Sequence, residues 1–309
     1  MIHLAIAGPG SISHRFLDGM KGVAGADVTA FGTRRPDHVR SYAEQYQISV
    51  IDSFSALCQD PSIDAFYIST PNHVHYRMIK EALLAGKHVL CEKPITVTAA
   101  QLKELFSLAH RKQLVLMEAH KTLYTPVFHS IAQVLQNSEL GAIRSASAGF
   151  CRRESHSPDE WRLHGEGGGA LYDVGCYGLA ELFGLFGTDL TVCQHEAETV
   201  DGLNVGGTIH LEHNGIPMTV LYSFVTDGDC SLRIEGELGT LVCNSFWKAD
   251  HYCILHSGEP QEYRFPFESE FTFETQRFID RIANGLWNDP FSEEISVRIL
   301  EILDSSLTI

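Results

Sequence analysis

Lys93 is the first residue whose chemical type and position suggest a function. It follows a short apolar run that includes Val89 and Leu90 and is typical of the end of a buried strand. Because Pro94 has no amide hydrogen and fixes its own φ, the chain must leave the sheet there. Ligands of open α/β sheets bind beyond the carboxyl ends of the strands, so a cation at this point can face a substrate. A solvent-exposed turn lysine is the alternative, since most lysines are exposed.

Asp173 and Tyr177 form a second group that could do chemistry. Residues 170–186 carry apolar side chains at helical spacing, and this polar pair lies four residues apart on one face. Two polar groups on an otherwise apolar helix point into a cleft or into a buried polar network, and the sequence leaves both open.

A glycine turn near the N-terminus predicts a phosphate site. The apolar strand pattern of residues 2–7 enters the sequence GPGSIS, and a helical pattern follows at residues 15–21. Gly8 permits a tight turn, and Gly10 lets the backbone approach a pyrophosphate at the helix N-terminus. Ser13 replaces the third glycine of the usual motif and is small enough for close packing. An ordinary turn between strand and helix is the alternative.

The end of the second predicted strand indicates which dinucleotide binds. An NAD site has a carboxylate about 20 residues beyond the glycines, on the ribose 2′-hydroxyl. Thr33 and Arg34 stand at that place. A hydroxyl beside a guanidinium suits a 2′-phosphate, which arginine binds through several donors at once. The sequence therefore favours NADP over NAD.

Alternating strand and helix patterns predict the fold of the first part of the chain. Strands at residues 64–69 and 114–117 enclose a helix from residue 76 to 85, the strand before Lys93 and a helix that Thr98 caps. This rhythm predicts a parallel, doubly wound sheet with right-handed crossovers. We place this domain at residues 1–121.

The rest of the chain predicts a second α/β domain at residues 122–309. Residues 119–140 are predicted as a helix that joins the domains. Strands separated by turn signals run from residue 143 to 256, with a hairpin signal at Asn214-Gly215, and two helices end the chain.

The composition excludes several classes of protein. The 309 residues include 39 acidic and 23 basic side chains, a net charge of −16 with neutral histidines. Nucleic-acid or membrane-surface binding needs clustered lysine and arginine, so neither is expected. Eight scattered cysteines without a CxxC pair favour reduced thiols in the cytoplasm over disulfides or a zinc site. The N-terminus starts with a strand pattern and no run of about 18 apolar residues occurs, so we expect neither a secretion signal nor a membrane span.

Four motifs together resemble the Gfo/Idh/MocA oxidoreductase family. They are GPGSIS from Gly8, STPNHVH from Ser69, LCEKP from Leu90 and GGGALYDVGCY from Gly167, in that order along nearly the whole chain. The resemblance implies an N-terminal Rossmann domain and a C-terminal α/β domain with a large open, mostly antiparallel sheet. The exposed face of that sheet commonly forms an oligomer interface in the family, so a homodimer or homotetramer is expected.

The resemblance also implies a set of cofactor contacts. Gly8, Gly10, Ser11, Ile12 and Ser13 would line the pyrophosphate, and Thr33 and Arg34 would meet the adenosine ribose or its phosphate. Thr70, Pro71, Asn72 and His75 would lie along the nicotinamide, with Glu92 and Lys93 beneath it. The bond between Lys93 and Pro94 is often cis in the family.

Further residues are candidates for the substrate site. Lys121 stands where the chain leaves the last Rossmann strand, and Trp161 and Arg162 precede three glycines that can bring backbone close to a ligand. With Lys93, Asp173 and Tyr177 they complete the predicted substrate set. His73 and His75 have a spacing that metal ligands can have, but further ligands do not follow nearby, so no metal is expected.

Two departures from the family pattern affect the substrate. Many members carry histidine where this chain has Tyr177, and an aspartate where it has Ala180. Members with tyrosine include the glucose–fructose and dihydrodiol types, so activity is expected. Loss of the second aspartate puts inositol-type substrate recognition in doubt.

We therefore predict reversible hydride transfer between nicotinamide C4 and the carbinol carbon of a sugar, polyol or related hydroxyl compound. Tyr177 is the candidate base, and its phenol, with an ordinary pKa of about 10, needs a lowered pKa to act near neutral pH. Lys93 supplies positive charge for this and hydrogen-bonds the substrate oxygen, while Asp173 orients Lys93 or a second hydroxyl.

Two other functions use the same fold. One is a regulator that binds a dinucleotide and a partner protein without catalysis. Such regulators typically lose the catalytic lysine or its partners, whereas this chain retains them. The other is an NAD-dependent glycoside hydrolase, which oxidises its sugar transiently and keeps its nucleotide.

Overall fold

A computed structural model describes residues 1–153 and 160–306, and the chain forms two compact units. The first contains Met1–Ala119 and Glu268–Val297, and the second contains His120–Phe267 and the residues from Arg298 on. The predicted division at residue 121 lies two residues after the first boundary. It also assigns residues 268–297 to the second domain, whereas they pack within the first unit.

The first unit is built on a parallel sheet of six strands in the order β3-β2-β1-β4-β5-β6. This order is that of a Rossmann fold, which confirms the predicted doubly wound sheet. Five of the strands are predominantly apolar and mostly buried, as expected for strands that helices cover on both faces. The strands are β1 (Ile2–Ala7), β2 (Ala26–Gly32), β3 (Val50–Asp52), β4 (Ala65–Ile68), β5 (His88–Glu92) and β6 (Leu116–Ala119).

The helices of the first unit mostly follow the predicted pattern. Thr98 caps one of them, because its hydroxyl accepts a hydrogen bond from the Gln101 amide. The helices of the N-terminal segment are α1 (Ser11–Met20), α2 (Arg40–Gln45), α3 (Phe54–Gln59), α4 (Asn72–Leu84) and α5 (Ala99–Lys112), with a 3₁₀ turn at Pro36–Val39.

A helix from the C-terminal part of the chain completes the first unit. This helix, Phe271–Ala283, is α8 in the chain order used below. It packs closely on α1, since a Cβ on Gly19 would lie 2.6 Å from Cβ of Phe271. The Thr272 hydroxyl also donates to the Gly19 carbonyl over 2.8 Å. Its position depends on this close contact between segments about 250 residues apart.

The second unit is built on an eight-stranded sheet in the order β14-β13-β12-β11-β7-β10-β9-β8. Strands β7 and β10 are parallel and the other neighbours are antiparallel, as the family resemblance implies. The strands are β7 (Ile143–Cys151), β8 (Thr191–Val200), β9 (Leu203–His213), β10 (Ile216–Ser223), β11 (Ser231–Gly236), β12 (Thr240–Asn244), β13 (His251–Leu255) and β14 (Gln261–Arg264).

Helix α7 (Cys176–Phe186) covers one face of this sheet. Gly178 allows the approach, because a Cβ there would lie 2.7 Å from Val220 on β10 and 3.3 Å from Ala148 on β7. A π-helical turn, Leu171–Gly175, precedes α7. The remaining helices are α6 (Pro126–Gln136) and α9 (Pro290–Ser306), and 3₁₀ turns occupy Lys121–Tyr124, Trp161–Leu163 and Phe246–Lys248.

The continuous helix predicted at residues 119–140 is wrong. Pro126 starts α6, and the Thr125 hydroxyl accepts a hydrogen bond from the Phe128 amide. Proline fits the first turn of a helix and disrupts its interior, so the chain before it forms a separate 3₁₀ turn. Among the helices in the described part of the chain, none is long and apolar enough to cross a membrane.

Candidate active site

The glycine turn after β1 is fixed by contact with the loop after β4. Gly8 has a φ of +83°, and a Cβ there would lie 2.5 Å from Cγ2 of Thr70. Glycine alone suits both this backbone conformation and this contact. The turn and the Thr70 loop therefore lie together at the carboxyl edge of the sheet.

Ser13 ties the same turn to the neighbouring loop. Its buried hydroxyl accepts a hydrogen bond from the Gly10 amide over 3.1 Å and lies 3.1 Å from the hydroxyl of Ser69. A Cβ on Gly10 would meet only the Gly8 carbonyl, at 3.8 Å, so space for a ligand remains above it. The first amides of α1, at Ser11 and Ile12, have no acceptor within the helix and favour an anion.

Thr33 and Arg34 lie at the carboxyl end of β2, on the same edge of the sheet. The Thr33 amide donates to the Asp52 carbonyl, and its hydroxyl accepts from the Arg35 amide over 3.1 Å. These bonds fix the backbone from which the exposed side chain of Arg34 extends. Arg34 is thus a long, solvent-exposed cationic side chain at the position predicted for the adenosine ribose.

Lys93 follows β5 directly and is buried, with an exposed fraction of 9%. Its bond to Pro94 is cis, as the resemblance implies. The preceding carboxylate, Glu92, accepts a hydrogen bond from the hydroxyl of Tyr67 on β4. Burial, together with Glu92, raises the pKa of Tyr67 well above its ordinary value, so the phenol keeps the proton that it donates.

Two more buried polar side chains hold the residues after Lys93. Glu118 on β6 accepts a hydrogen bond from the Ile95 amide over 2.8 Å. His75 on α4 places Nδ1 3.1 Å from the Pro94 carbonyl oxygen and Nε2 2.6 Å from that of Thr70. Tyr67, Glu118 and His75 therefore position the turn that presents Lys93, and the sequence did not indicate this role for any of them.

Asp173 and Tyr177 are the partly exposed residues of an otherwise buried segment. All the remaining residues from Leu171 to Phe183 are buried. Asp173 lies in the π-helical turn, a geometry often found at functional sites, and Tyr177 in the first turn of α7. Both side chains are thus partly open to solvent, whereas their neighbours on the segment are not.

An aromatic row supports Tyr177 within the second unit. Its ring centroid lies 5.7 Å from that of Phe150 on β7, and Phe150 stacks on Trp247 with centroids 3.7 Å apart. The row places an apolar surface beside the phenol. Ala180, at the position of the family's second aspartate, is fully buried.

Arg162 is held between two carboxylates. Its Nε lies 3.0 Å from Oδ2 of Asp173, its guanidinium also pairs with Glu160, and it lies over the ring of Trp161 at 5.1 Å. The Gly169 amide donates to the Arg162 carbonyl over 2.7 Å. The glycine segment was predicted to bring its backbone close to a ligand. In the structure, its backbone lies against the backbone of Arg162.

Asn204 is a further residue that sequence reasoning missed. Its side-chain oxygen accepts a hydrogen bond from the Leu171 amide over 3.0 Å, at the start of the π-helical turn. A Cβ on Gly169 would lie 2.8 Å from the Asn204 carbonyl. No local pattern marks Asn204, because it lies on β9, more than thirty residues from the turn it fixes.

The structure groups the predicted residues within each unit. In the first, the pyrophosphate turn, Thr33 and Arg34, the Thr70 loop and the Lys93 turn share one edge of the sheet. In the second, Arg162 meets Asp173, while Lys121 lies buried in the 3₁₀ turn at the start of the unit. Residues 154–159, which precede the predicted substrate residues Trp161 and Arg162, lie outside the described residues. Within the described ranges, no three His, Cys, Asp or Glu side chains are placed to hold a metal ion.

The sheet order, the glycine turn and the open space above Gly10 define a dinucleotide-binding protein with a Rossmann domain. Residues 2–120 match an oxidoreductase family with an NAD-binding Rossmann fold, and residues 128–242 match the Gfo/Idh/MocA C-terminal domain. The chain belongs to the Gfo/Idh/MocA oxidoreductase family. This confirms the predicted family, the oxidoreductase class and a nicotinamide dinucleotide, NADP or NAD, as cofactor.

Several characterised proteins are similar over most of the chain. A dTDP-3,4-didehydro-2,6-dideoxy-α-D-glucose 3-reductase from Saccharopolyspora spinosa is 32% identical over 78% of this chain and 74% of its own. An NADP-dependent scyllo-inositol 2-dehydrogenase from Bacillus subtilis is 26% identical over 99% and 96%. The structure of a 3-ketoreductase from Actinomadura kijaniata, in complex with NADP and TDP-benzene, matches with a TM-score of 0.90 and 26% identity, over 98% of this chain and 96% of that one.

Proposed function

We propose that this protein transfers a hydride between C4 of NADP and the carbinol carbon of a sugar, polyol or related hydroxyl compound. The observation that carries the proposal is the buried turn of Lys93. An exposed turn lysine needs no such support, whereas here buried His75 and Glu118 contact the backbone after it, and buried Tyr67 binds the side chain of Glu92 before it. Such rigid placement of a cation at the ligand-binding edge of the sheet suits catalysis.

The residues present fit a dinucleotide. The space above Gly10 and the first amides of α1 suit the pyrophosphate, and the exposed Arg34 beside Thr33 suits a 2′-phosphate. The similar proteins from Bacillus subtilis and Actinomadura kijaniata use or bind NADP. We therefore assign the pyrophosphate to Gly8, Gly10, Ser11, Ile12 and Ser13, the 2′-phosphate to Thr33 and Arg34, and the nicotinamide side to Thr70, Pro71, Asn72, Glu92 and Lys93.

In the proposed mechanism, Tyr177 transfers the proton of the substrate hydroxyl, and Lys93 stabilises the negative charge on its oxygen. The bound dinucleotide supplies the carbon that accepts or gives the hydride. In oxidation, the Tyr177 phenolate takes the proton of the substrate hydroxyl, and in reduction the phenol returns it. Lys93 donates a hydrogen bond to the same oxygen and stabilises its negative charge.

Asp173, Arg162 and Trp161 fit a substrate with several hydroxyl groups. A carboxylate accepts hydrogen bonds from hydroxyls and a guanidinium donates to them, while an aromatic ring can contact the apolar face of a sugar. The ion pair fixes Asp173 before substrate arrives. Lys121 is proposed as a further cation of the substrate site. With Ala180 in place of an aspartate, the site lacks one carboxylate for an inositol-type polyol.

We also propose that the protein is a cytoplasmic homodimer or homotetramer that associates through the second sheet. On the face away from α7, Leu221 and Val242 are partly exposed among polar side chains. The eight cysteines, all in the described part of the chain, are thiols and form no disulfides, which is compatible with a reducing compartment. Light scattering during size-exclusion chromatography measures the oligomeric state, and a monomer at micromolar concentration contradicts the association.

A screen of sugars and polyols against NADP and NAD, followed by nicotinamide absorbance, tests the function. Turnover that consumes NADP stoichiometrically is expected. Release of a sugar from a glycoside without net change in the nucleotide indicates the hydrolase alternative. Tight dinucleotide binding without turnover of any compound indicates the regulator.

A further inference from the structure

His75 lies fully buried between two loops that both border the dinucleotide site. Its Nε2 is 2.6 Å from the Thr70 carbonyl oxygen, and its Nδ1 is 3.1 Å from that of Pro94. Both partners are backbone carbonyls, which accept hydrogen bonds and donate none. The ring therefore joins two loops of the chain through its own N–H groups.

The chemistry of the ring identifies the stronger bond. Burial lowers the pKa of His75, and the hydrogen bonds to the two carbonyls oppose this effect. A nitrogen lone pair would repel a carbonyl oxygen at 2.6 Å, which places the hydrogen on Nε2. His75 thus donates to Thr70, and its Nδ1 edge packs against the Pro94 carbonyl.

Each of these two contacts continues into a different part of the site. The Thr70 side chain fills the space that Gly8 leaves open, so holding Thr70 also holds the pyrophosphate turn. Pro94 directly follows Lys93, and the next amide, of Ile95, is fixed by Glu118. One imidazole ring therefore lies between the turn that binds the dinucleotide and the turn that presents the catalytic cation.

We propose that His75 is a positioning residue that couples the Thr70 loop to the Lys93 turn, and that it contacts neither dinucleotide nor substrate. The inference rests on the proposed function, because the importance of Lys93 depends on it. It reassigns His75 from a direct cofactor contact to a buried link between two loops.

Three variants test this role. His75→Leu removes the hydrogen bonds and keeps an apolar side chain of similar bulk. His75→Gln restores an amide N–H near the position of Nε2, so it can still donate to Thr70. His88→Leu is the matched control, since burial also lowers the pKa of His88, and this side chain accepts a hydrogen bond from the Val115 amide at the opposite end of the strands.

Two measurements need no substrate. NADPH affinity, followed by nicotinamide fluorescence, should fall about tenfold in His75→Leu and recover in His75→Gln, because one buried hydrogen bond is lost and regained. The rate at which trinitrobenzenesulfonate modifies Lys93, followed by peptide mass spectrometry, should rise about tenfold in His75→Leu, since an unsupported turn exposes the amine. His88→Leu should change neither quantity, even if it lowers the unfolding temperature as much as His75→Leu does.

The outcomes separate this inference from the proposed function. Unchanged NADPH affinity and Lys93 modification in folded His75→Leu overturn it, as does an His75→Gln variant that binds NADPH as weakly as His75→Leu. A wild-type protein that binds NADPH but oxidises no sugar contradicts the proposed function and leaves both measurements on His75 valid. Where sugar turnover is found, the turnover number of His75→Leu should fall and that of His75→Gln should recover.

Discussion

The Oδ2 atom of Asp173 lies 3.0 Å from Nε of Arg162, whose guanidinium also pairs with Glu160. Arg162 thereby fixes the carboxylate proposed to orient the substrate. We expect Arg162→Gln to lower kcat/KM for the sugar about tenfold and to leave NADPH affinity unchanged, because the change lies outside the Rossmann unit. Steady-state kinetics and a fluorescence titration measure the two quantities. Arg264→Gln, which breaks an exposed pair with Glu262, is the control and should have no effect.

Replacing Lys93 with Met should abolish turnover while the dinucleotide still binds. The methionine keeps most of the apolar stem and removes the charge that stabilises the substrate oxygen, for which we expect a loss in kcat of at least about 100-fold. Lys80→Met, which breaks an exposed pair with Glu104 on the surface, is the control. Normal turnover by the Lys93 variant would remove the lysine from the mechanism.

Replacing Arg34 with Leu should reduce the preference for NADP. A charge-assisted bond to the 2′-phosphate is lost, so we expect NADP affinity to fall about ten- to one-hundredfold with little change for NAD. Isothermal titration with each dinucleotide measures the ratio. Arg40→Gln removes an equal charge that is already paired with Asp37 on the same unit, and it should leave the ratio unchanged. Equal losses for both dinucleotides in Arg34→Leu would contradict the assignment.

Glu181 on α7 should make stability depend on pH. Burial raises its pKa from 4.5 to about 8, with a smaller opposing effect of the Thr122 hydroxyl. Between these values the folded state binds more protons than the unfolded state, so the free energy of unfolding falls as pH rises from 4.5 to 8. The stabilising contribution is complete below 4.5 and lost above 8.

Glu181→Gln keeps the shape of the protonated acid and cannot ionise. The variant should match the wild type near the acidic end of this window and be more stable above its alkaline end, by roughly 1.4 kcal/mol for each unit between the two pKa values. Urea unfolding at several pH values gives the difference. A difference that does not change with pH would show that Glu181 does not titrate on unfolding.

The sequence by itself determined the features that depend on neighbouring residues. Thr98 caps α5 as predicted, and Asn214 and Gly215 both have positive φ in the hairpin between β9 and β10. Apolar runs specified the parallel strands, and the glycines specified the tight turn after β1. These signals are local, because a cap or a tight turn depends on a few consecutive residues.

The tertiary structure decided the features that depend on distant partners. The place of α8 in the first unit follows from its close packing on Gly19, and the π-helical turn of Asp173 is fixed by Asn204 on β9. The support of Lys93 comes from three separate elements. Buried polar groups need partners wherever the fold supplies them, and spacing along the chain does not record which residues the fold brings together.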